Sequence, residues 1–203
     1  MKKWRFHRLA PAALLALVWA CSTSPSARFY TLSDGSPGEN PEITAAATVL
    51  LVGPVELADY LDRPQMVVRT GPHELRAQEF HRWAGSFRQE ASRILIGALG
   101  EALAPFAVRV QAWTPGRAEG PLRGRVALDL GRVDGPLGGE VVVEMDWTLM
   151  DGSGRAVDRG RLSAGERARG ASHAEYAAAV AEALRKAAVE LALRVADGGQ
   201  EGP

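Results

Sequence analysis

Hydrophobic and polar residues alternate along several short segments of this chain, a pattern typical of strands with one buried face. The clearest segment is 141–149, where every second residue is apolar and polar residues such as Glu144 and Asp146 lie between them. A short aliphatic run at 48–55 predicts a buried strand. Weaker patterns predict further strands at 29–32, 65–69, 74–79, 126–130 and 155–164.

Two segments instead repeat their apolar residues every three or four positions, which predicts amphipathic helices. The first covers 83–103, although Ser86 and Gln89 match a capping box that would place its start later. The second begins at the capping box of Ser172 and Glu175 and runs to the paired glycines near the end of the chain.

These elements predict a single domain of the α/β (α+β) class over residues 29–196. We expect a mixed, largely antiparallel sheet of about five to seven strands, with the two main helices packed on one face. The open edges of such a sheet favour ring-like self-association into a homo-oligomer, or strand addition to a partner. Residues 197–203 are predicted to form a flexible tail.

A basic head and a short apolar run precede the only cysteine of the chain. The apolar run has twelve residues, and a membrane-spanning helix needs about 20. Residues 1–20 therefore match a secretory signal peptide that ends in a small residue, Ala20, directly before Cys21. This arrangement resembles a bacterial lipoprotein signal and predicts lipidation of the Cys21 thiol, with residues 21–28 as a short tether. The alternative is an ordinary signal peptide or a short membrane anchor in which the cysteine has no role.

Charge and cysteine content narrow the class of protein. The chain has 24 basic and 24 acidic residues, and removal of the four basic residues of the signal leaves 20 − 24, a net charge of about −4. This balance gives no indication of a nucleic-acid partner. The single cysteine excludes an internal disulfide, so the stability of the domain must come from a packed core.

The sequence lacks the spacings that indicate catalysis, metal binding or cofactor binding. It contains no H-E-x-x-H, C-x-x-C or G-x-S-x-G motif and no phosphate-binding loop. His73, His81 and His173 lie in separate segments and are interpreted as surface or packing residues unless folding brings two of them together. We therefore expect a protein that is not an enzyme and that has neither a cofactor nor a metal site.

One block of the sequence resembles a known family. Residues 52–95 are similar to the signature of the ABC-type transport auxiliary lipoproteins, the PqiC-like group, and the run 29–32 soon after the cysteine is a second match. The chain departs from the pattern at Trp19, which is bulky for a lipidation motif, and after Trp83, where Gly85 and Ser86 replace an expected helix former. The strongest points of resemblance are Gly53, Pro54, Tyr60, Leu61, Asp62, Arg63, Pro64, Gln65 and Trp83.

The resemblance implies an outer-membrane lipoprotein that faces the periplasm. It would act as a non-catalytic accessory or docking component of an MCE-type ABC system for intermembrane lipid transport, which maintains the cell envelope. Its expected partners are the inner leaflet of the outer membrane, through the acyl chains on Cys21, and an MCE-domain protein. Ser22, rather than aspartate, after the cysteine favours export to the outer membrane. A periplasmic lipoprotein hydrolase and a stand-alone lipid carrier are the alternatives.

Residues 60–65 and Trp83 are the candidate site within this block, either as a partner-docking surface or as a structural turn. Asp62 is expected to accept hydrogen bonds from backbone amides of its own turn, and Arg63 is expected to pair with a carboxylate. The proline at 64 makes the turn rigid.

Overall fold

The computed structural model describes residues 25–33, 48–116 and 120–198. The predicted signal peptide and the lipidation site at Cys21 lie outside the described residues, as do residues 199–203 of the predicted tail.

Eight strands and two α-helices form the described part of the chain. The helices are α1 (Phe87–Leu103), which continues into a short 3-10 turn at Ala104–Phe106, and α2 (His173–Gly198). The strands are β1 (Arg28–Tyr30), β2 (Thr48–Leu57), β3 (Gln65–Gly71), β4 (Glu74–Trp83), β5 (Val108–Ala112), β6 (Leu122–Asp134), β7 (Glu140–Met150) and β8 (Ala156–Arg167).

The strands divide between two sheets. The three-stranded sheet has the order β1-β4-β3, with β1 parallel and β3 antiparallel to β4. The five-stranded sheet has the order β5-β2-β6-β7-β8. Within it β2 is parallel to both of its neighbours, whereas β6, β7 and β8 form an antiparallel meander. Strand β2 thus joins residues that lie far apart in the sequence.

The two helices cover one face of the five-stranded sheet. Helix α2 packs on β7 and β8, helix α1 packs on β5 and β2, and the two helices also contact each other. The side of α2 that faces the sheet is rich in alanine, and its larger residues Leu184 and Leu191 are fully buried. Because alanine is small, the helix lies close to the apolar face of β7, which includes Val143 and Met145.

The structure confirms the α+β class, the mixed strand orientation and the two main helices. It differs from the expectation in dividing the strands between two sheets, and in containing β5, which was not predicted. A five-residue strand between a proline and a tryptophan has too few positions to show an alternating pattern, and its pairing with β2 is not local. Helix α1 begins at Phe87 rather than Trp83, because Ser86 is its N-cap and accepts a hydrogen bond from the Gln89 amide.

Candidate functional site

The signature turn, residues 60–65, joins β2 to β3 and is fixed by backbone hydrogen bonds. The Leu61 amide donates to the Ala58 carbonyl at 2.9 Å, and the Arg63 amide donates to the Leu61 carbonyl at 2.9 Å. The Pro64 carbonyl accepts from the Trp83 amide at 2.8 Å, and Gln65 pairs with Arg82. The run 60–65 and Trp83, the two parts of the sequence signature, are therefore in contact in the folded chain.

Tyr60 connects the turn to the end of β6. Its hydroxyl donates to Asp134 Oδ2 at 2.9 Å and accepts from the Val133 amide at 3.1 Å. Both hydrogen-bonding functions of the phenol are thus used within the protein. The Tyr60 side chain therefore connects the turn that follows β2 to the end of β6.

Asp134 is the centre of a buried ionic network that sequence analysis did not detect. Its side chain is 0% exposed. Arg69 donates to it twice, from Nε to Oδ1 at 2.6 Å and from a terminal nitrogen to Oδ2 at 2.9 Å. Arg132 donates from Nε to Oδ1 at 3.1 Å and also pairs with Glu144 at 2.9 Å. The only sequence signal is an aspartate before Gly135, which reads as an ordinary turn residue.

The electrostatics of this network favour a structural role. Burial raises the pKa of Asp134, but hydrogen bonds from Arg69, Tyr60 and Arg132 outweigh it, so the pKa lies below the ordinary value of 3.8. Burial, with the nearby Asp134 charge, raises the pKa of Tyr60 well above its ordinary value. Neither group is poised to exchange a proton near neutral pH, and the carboxylate is already surrounded by donors.

Asp62 is held by helix α1 rather than by its own turn. A terminal nitrogen of Arg88 donates to Asp62 Oδ2 at 2.9 Å. The other terminal nitrogen of Arg88 donates to the Val55 carbonyl at 2.8 Å and to Glu56 at 3.1 Å. The expected hydrogen bonds from the amides of the turn are replaced by this link, which joins the turn, β2 and α1.

Arg63 is exposed and forms no ion pair within the described part of the chain, so the expected carboxylate partner is not found there. Pro64, which follows it, is also exposed. Together, Asp62, Arg63 and Pro64 form the exposed edge of the turn. This edge has a fixed backbone and a guanidinium that faces solvent.

Leu61 and Trp83 lie on the inner side of the signature. Leu61 is buried, and Trp83 is 6% exposed with its ring 5.2 Å, between centroids, from the ring of Phe87. An interior void of about 10 Å³ is lined by these residues together with Tyr176 and others, a volume that holds at most about one water molecule. The inner side of the signature is therefore well packed.

An open groove of about 520 Å³ lies beside the signature turn, between β2 and α1. Pro54 and Val55 line it from the strand, and Arg88, Ser92 and Ile96 line it from the helix. Gly53, at φ +130°, precedes a cis peptide bond to Pro54, and glycine tolerates this backbone conformation best. We call the groove together with the exposed edge of the turn the candidate docking surface.

A buried glutamate, also missed from the sequence, ties the start of the domain to helix α1. Glu90 lies in the first turn of α1, and its Oε2 accepts from the Leu32 amide at 2.6 Å and from the Thr31 hydroxyl at 3.2 Å. A carboxylate near a helix N-terminus is also favoured by the helix dipole. The segment that leaves the predicted tether is thus fixed at two successive residues.

Folding brings together two of the three histidines that lie among the described residues. The rings of His81 and His173 stack with centroids 3.5 Å apart and planes 4° apart. The Tyr30 hydroxyl lies 2.8 Å from His81 Nδ1, and His173 Nε2 lies 3.3 Å from the Gln78 side-chain oxygen. Within the described residues, no group of three or more potential ligands could hold a metal ion. The stacked pair links β4 to the first residue of α2.

Acid is expected to destabilise the domain through this pair. Burial, followed by the charges of His81 and Arg28, lowers the pKa of His173 below 6.5. The unfolded chain therefore binds more protons than the folded chain just below pH 6.5, and stability falls as the pH drops from that value toward the folded pKa. Thermal melting at about pH 7.5 and about pH 5 should show a smaller acid-induced loss in His173→Gln than in the wild type.

The matched control is His73→Gln, because His73 is exposed in the turn between β3 and β4. This variant should show the same acid-induced loss as the wild type. An equal loss in His173→Gln would contradict the assignment.

None of the described helices is long and apolar enough to cross a membrane.

Comparison with known proteins identifies the class to which this arrangement belongs. Residues 30–192 match the family of the ABC-type transport auxiliary lipoprotein component. The match extends over most of the chain and includes the signature turn, helix α1, most of helix α2 and the buried network. The chain belongs to the ABC-type transport auxiliary lipoprotein family.

Solved structures support the fold. The crystal structure of an uncharacterized protein aligns with a TM-score of 0.68 at 18% identity, over 84% of this chain and 99% of that one. The crystal structure of a DUF330 protein from Xanthomonas campestris aligns with a TM-score of 0.62 at 19% identity, over 88% of this chain and 96% of that one. Among curated proteins, none matches the sequence significantly. At such identities the structural likeness establishes the fold alone.

Proposed function

We propose that this chain is an outer-membrane lipoprotein that serves as a non-catalytic docking component of an MCE-type ABC system for intermembrane lipid transport. The lipoprotein faces the periplasm, is held in the inner leaflet through acyl chains on Cys21, and receives an MCE-domain protein. The family match over residues 30–192 is the observation that carries the proposal. The outer membrane and the MCE partner follow from the resemblance of the signature and from Ser22.

The distribution of polar groups supports docking over hydrolysis. The buried polar side chains among the described residues are Glu90 and Asp134. Glu90 fixes the start of the domain, and Asp134 is surrounded by arginine and tyrosine donors. Arg63, by contrast, has no ion-pair partner among the described residues and lies at the exposed edge of the signature, where another protein can reach it.

The packing beneath the signature supports docking over lipid carriage. A carrier needs a cavity for an acyl chain, and typical ligand pockets measure about 300–1,000 Å³. The void under the turn is about 10 Å³, whereas the 520 Å³ groove beside it is open to solvent, as are two further grooves of about 460 and 530 Å³ elsewhere on the described chain. This region offers a partner a rigid outer surface rather than an interior site.

A pull-down from native envelopes tests the proposal. The tagged full-length protein is solubilised in detergent alongside a Cys21→Ala variant, and both the captured proteins and the N-terminus are identified by mass spectrometry. We expect an MCE-domain protein in the wild-type sample and acyl chains on its Cys21. An unmodified cysteine without any transport protein would overturn the proposal.

The variant Arg63→Ala tests the docking surface in the same pull-down. Arg63 is exposed and has no ion-pair partner within the described ranges, so the melting temperature of the Arg63→Ala variant should stay within about 1 °C of the wild type. Recovery of the MCE-domain protein should fall about tenfold, as expected when an interface loses an arginine contact.

Arg159→Ala is the matched control, because Arg159 is an exposed arginine on β8 with no side-chain ion pair among the described residues. It should recover as much partner as the wild type. If Arg63→Ala lowers the melting temperature instead and leaves recovery unchanged, the turn has only a structural role.

A further inference from the structure

One face of the three-stranded sheet exposes large aromatic side chains. Phe29 on β1 is 65% exposed and Phe80 on β4 is 44% exposed. Phe29 pairs with Arg82 across the parallel strands, so their side chains lie on the same face. In β4 the His81 ring turns toward His173, and its neighbours Phe80 and Arg82 point to the opposite side.

These side chains have the chemistry of a membrane interface. Aromatic rings and arginine side chains are both favoured at the boundary between lipid headgroups and acyl chains, because the acyl chains are apolar and the headgroups are charged. Arg82 donates from Nε to the Glu79 carbonyl at 3.0 Å and forms no ion pair with a described carboxylate.

The positive charge on this face comes from Arg82. Among the other arginines of the three strands, Arg69 is bound to Asp134, Arg76 pairs with Glu74, and Arg28 lies on the opposite side, in register with His81. A basic residue near a membrane surface attracts anionic lipid, with a gain of about 1 kcal/mol.

This face lies only a few residues after Cys21, which favours a lipid bilayer as the surface that it contacts. Phe29 follows Cys21 by 29 − 21, or eight, residues, which span at most about 28 Å when fully extended. Residues 25–27 are exposed and lead directly into β1. An acylated Cys21 therefore keeps this face within reach of the membrane surface.

Phe106 is another exposed phenylalanine, but it lies far from this face. It is 56% exposed and follows the C-terminal end of α1. The opposite end of α1 begins at Phe87, which contacts Trp83 at the end of β4. A helix of 17 residues separates the two ends, and its length is about 25 Å. The tether thus favours contact of the bilayer with the face of β1 and β4 over contact with Phe106.

We propose that Phe29, Phe80 and Arg82 form a membrane-contact face that lies against anionic lipid headgroups, with the two phenylalanine rings at the headgroup boundary. The proposal rests on acylation of Cys21, which the proposed function also requires. Gln65 of the signature turn pairs with Arg82, so the face places the candidate docking surface beside the bilayer. A partner bound there meets the lipoprotein at the membrane surface.

The test uses the full-length, acylated protein reconstituted into vesicles of phosphatidylethanolamine and phosphatidylglycerol. The thiol of Cys21 is blocked by its acyl group, so an engineered cysteine is the single free thiol. Phe80→Cys and the control Phe106→Cys each carry an environment-sensitive fluorophore, and quenching by spin-labelled lipid is measured. Intact mass of the N-terminal peptide and thermal melting are recorded on the same samples.

We expect the label at position 80 to emit at shorter wavelength and to be quenched at least about threefold more than the label at position 106. Replacing phosphatidylglycerol with phosphatidylcholine should reduce this difference. Equal quenching at the two positions would overturn the proposal, as would a response at position 80 that appears only when the MCE-domain protein is added. An unacylated N-terminus would overturn it by removing its premise. The pull-down described above tests the docking function independently of the lipid contact.

Discussion

Replacing Asp134 with alanine is expected to lower the free energy of unfolding by about 3–5 kcal/mol, because it leaves the partners of a buried carboxylate without their acceptor. Arg69 and Arg132 would lose their shared counter-ion, and Tyr60 would lose the acceptor of its hydroxyl. Urea or thermal unfolding monitored by circular dichroism measures the change.

The control is Asp129→Ala, because Asp129 lies on the same strand but is exposed. Its effect should stay within about 0.5 kcal/mol. A loss of less than about 1 kcal/mol in Asp134→Ala would contradict the assignment of the network as a structural centre.

The same carboxylate should contribute to acid unfolding. The pKa of Asp134 is lowered on folding, so its stabilising contribution is complete above the ordinary value of 3.8 and is lost as the pH falls toward the folded value. This window lies well below that of His173, whose contribution changes below pH 6.5. The wild type should therefore lose stability in two separate ranges of pH.

Replacing Trp83 with alanine is expected to cost about 3–5 kcal/mol of unfolding free energy, as is typical for a buried aromatic residue. The side chain is 6% exposed and packs on Phe87, beneath the signature turn. Trp83→Phe retains a ring and should lose less than half as much. Both variants are compared with the wild type by chemical unfolding and by recovery of the MCE-domain protein.

The unfolding free energy and the recovery of the MCE-domain protein together distinguish a structural role of the signature from a docking role. If Trp83→Ala is destabilised and Arg63→Ala is not, the inner residues build the turn and the outer residues remain available for docking. If Trp83→Ala keeps its stability and loses the partner, then the tryptophan itself would have to be part of the interface, contrary to its burial.

The sequence predicted those elements whose pattern is local. The alternation at 141–149 corresponds to β7, and the capping boxes at Ser86 and Ser172 mark the beginnings of both helices. Tyr176 lies on the apolar side of α2, where it is buried and donates from its hydroxyl to the Val67 carbonyl at 2.8 Å. Local periodicity carries this information because it reports which side of an element is buried.

Features that depend on distant pairing could not be predicted. Strand β2 is parallel to β5 and β6, and the connections between these strands leave no pattern in either segment. Asp134 and Glu90 are charged residues whose partners lie 65 and 58 positions away, at Arg69 and Leu32. Charged residues are usually exposed, so a single sequence favours a solvent-facing position for both.

The candidate site was predicted in part. The run 60–65 and Trp83 were selected together, and the structure places them in contact through the Pro64 carbonyl. Asp62 binds Arg88 instead of the amides of its own turn, because α1 packs beside β2, and no carboxylate partner of Arg63 lies among the described residues. A turn sequence indicates its own backbone shape but not the helix that comes to lie next to it.

The attachment of β1 also determines how the domain bears mechanical force. Strand β1 leads from the predicted tether and pairs with β4 at three successive residues, and Glu90 then holds the Leu32 amide. The hydrogen bonds of a parallel pair are evenly spaced along the strand. A pull along β1 therefore loads them together in shear, instead of opening them one after another. With the lipid anchor and partner proposed above, tension between them would be spread over β4 and α1 before it reaches the rest of the fold.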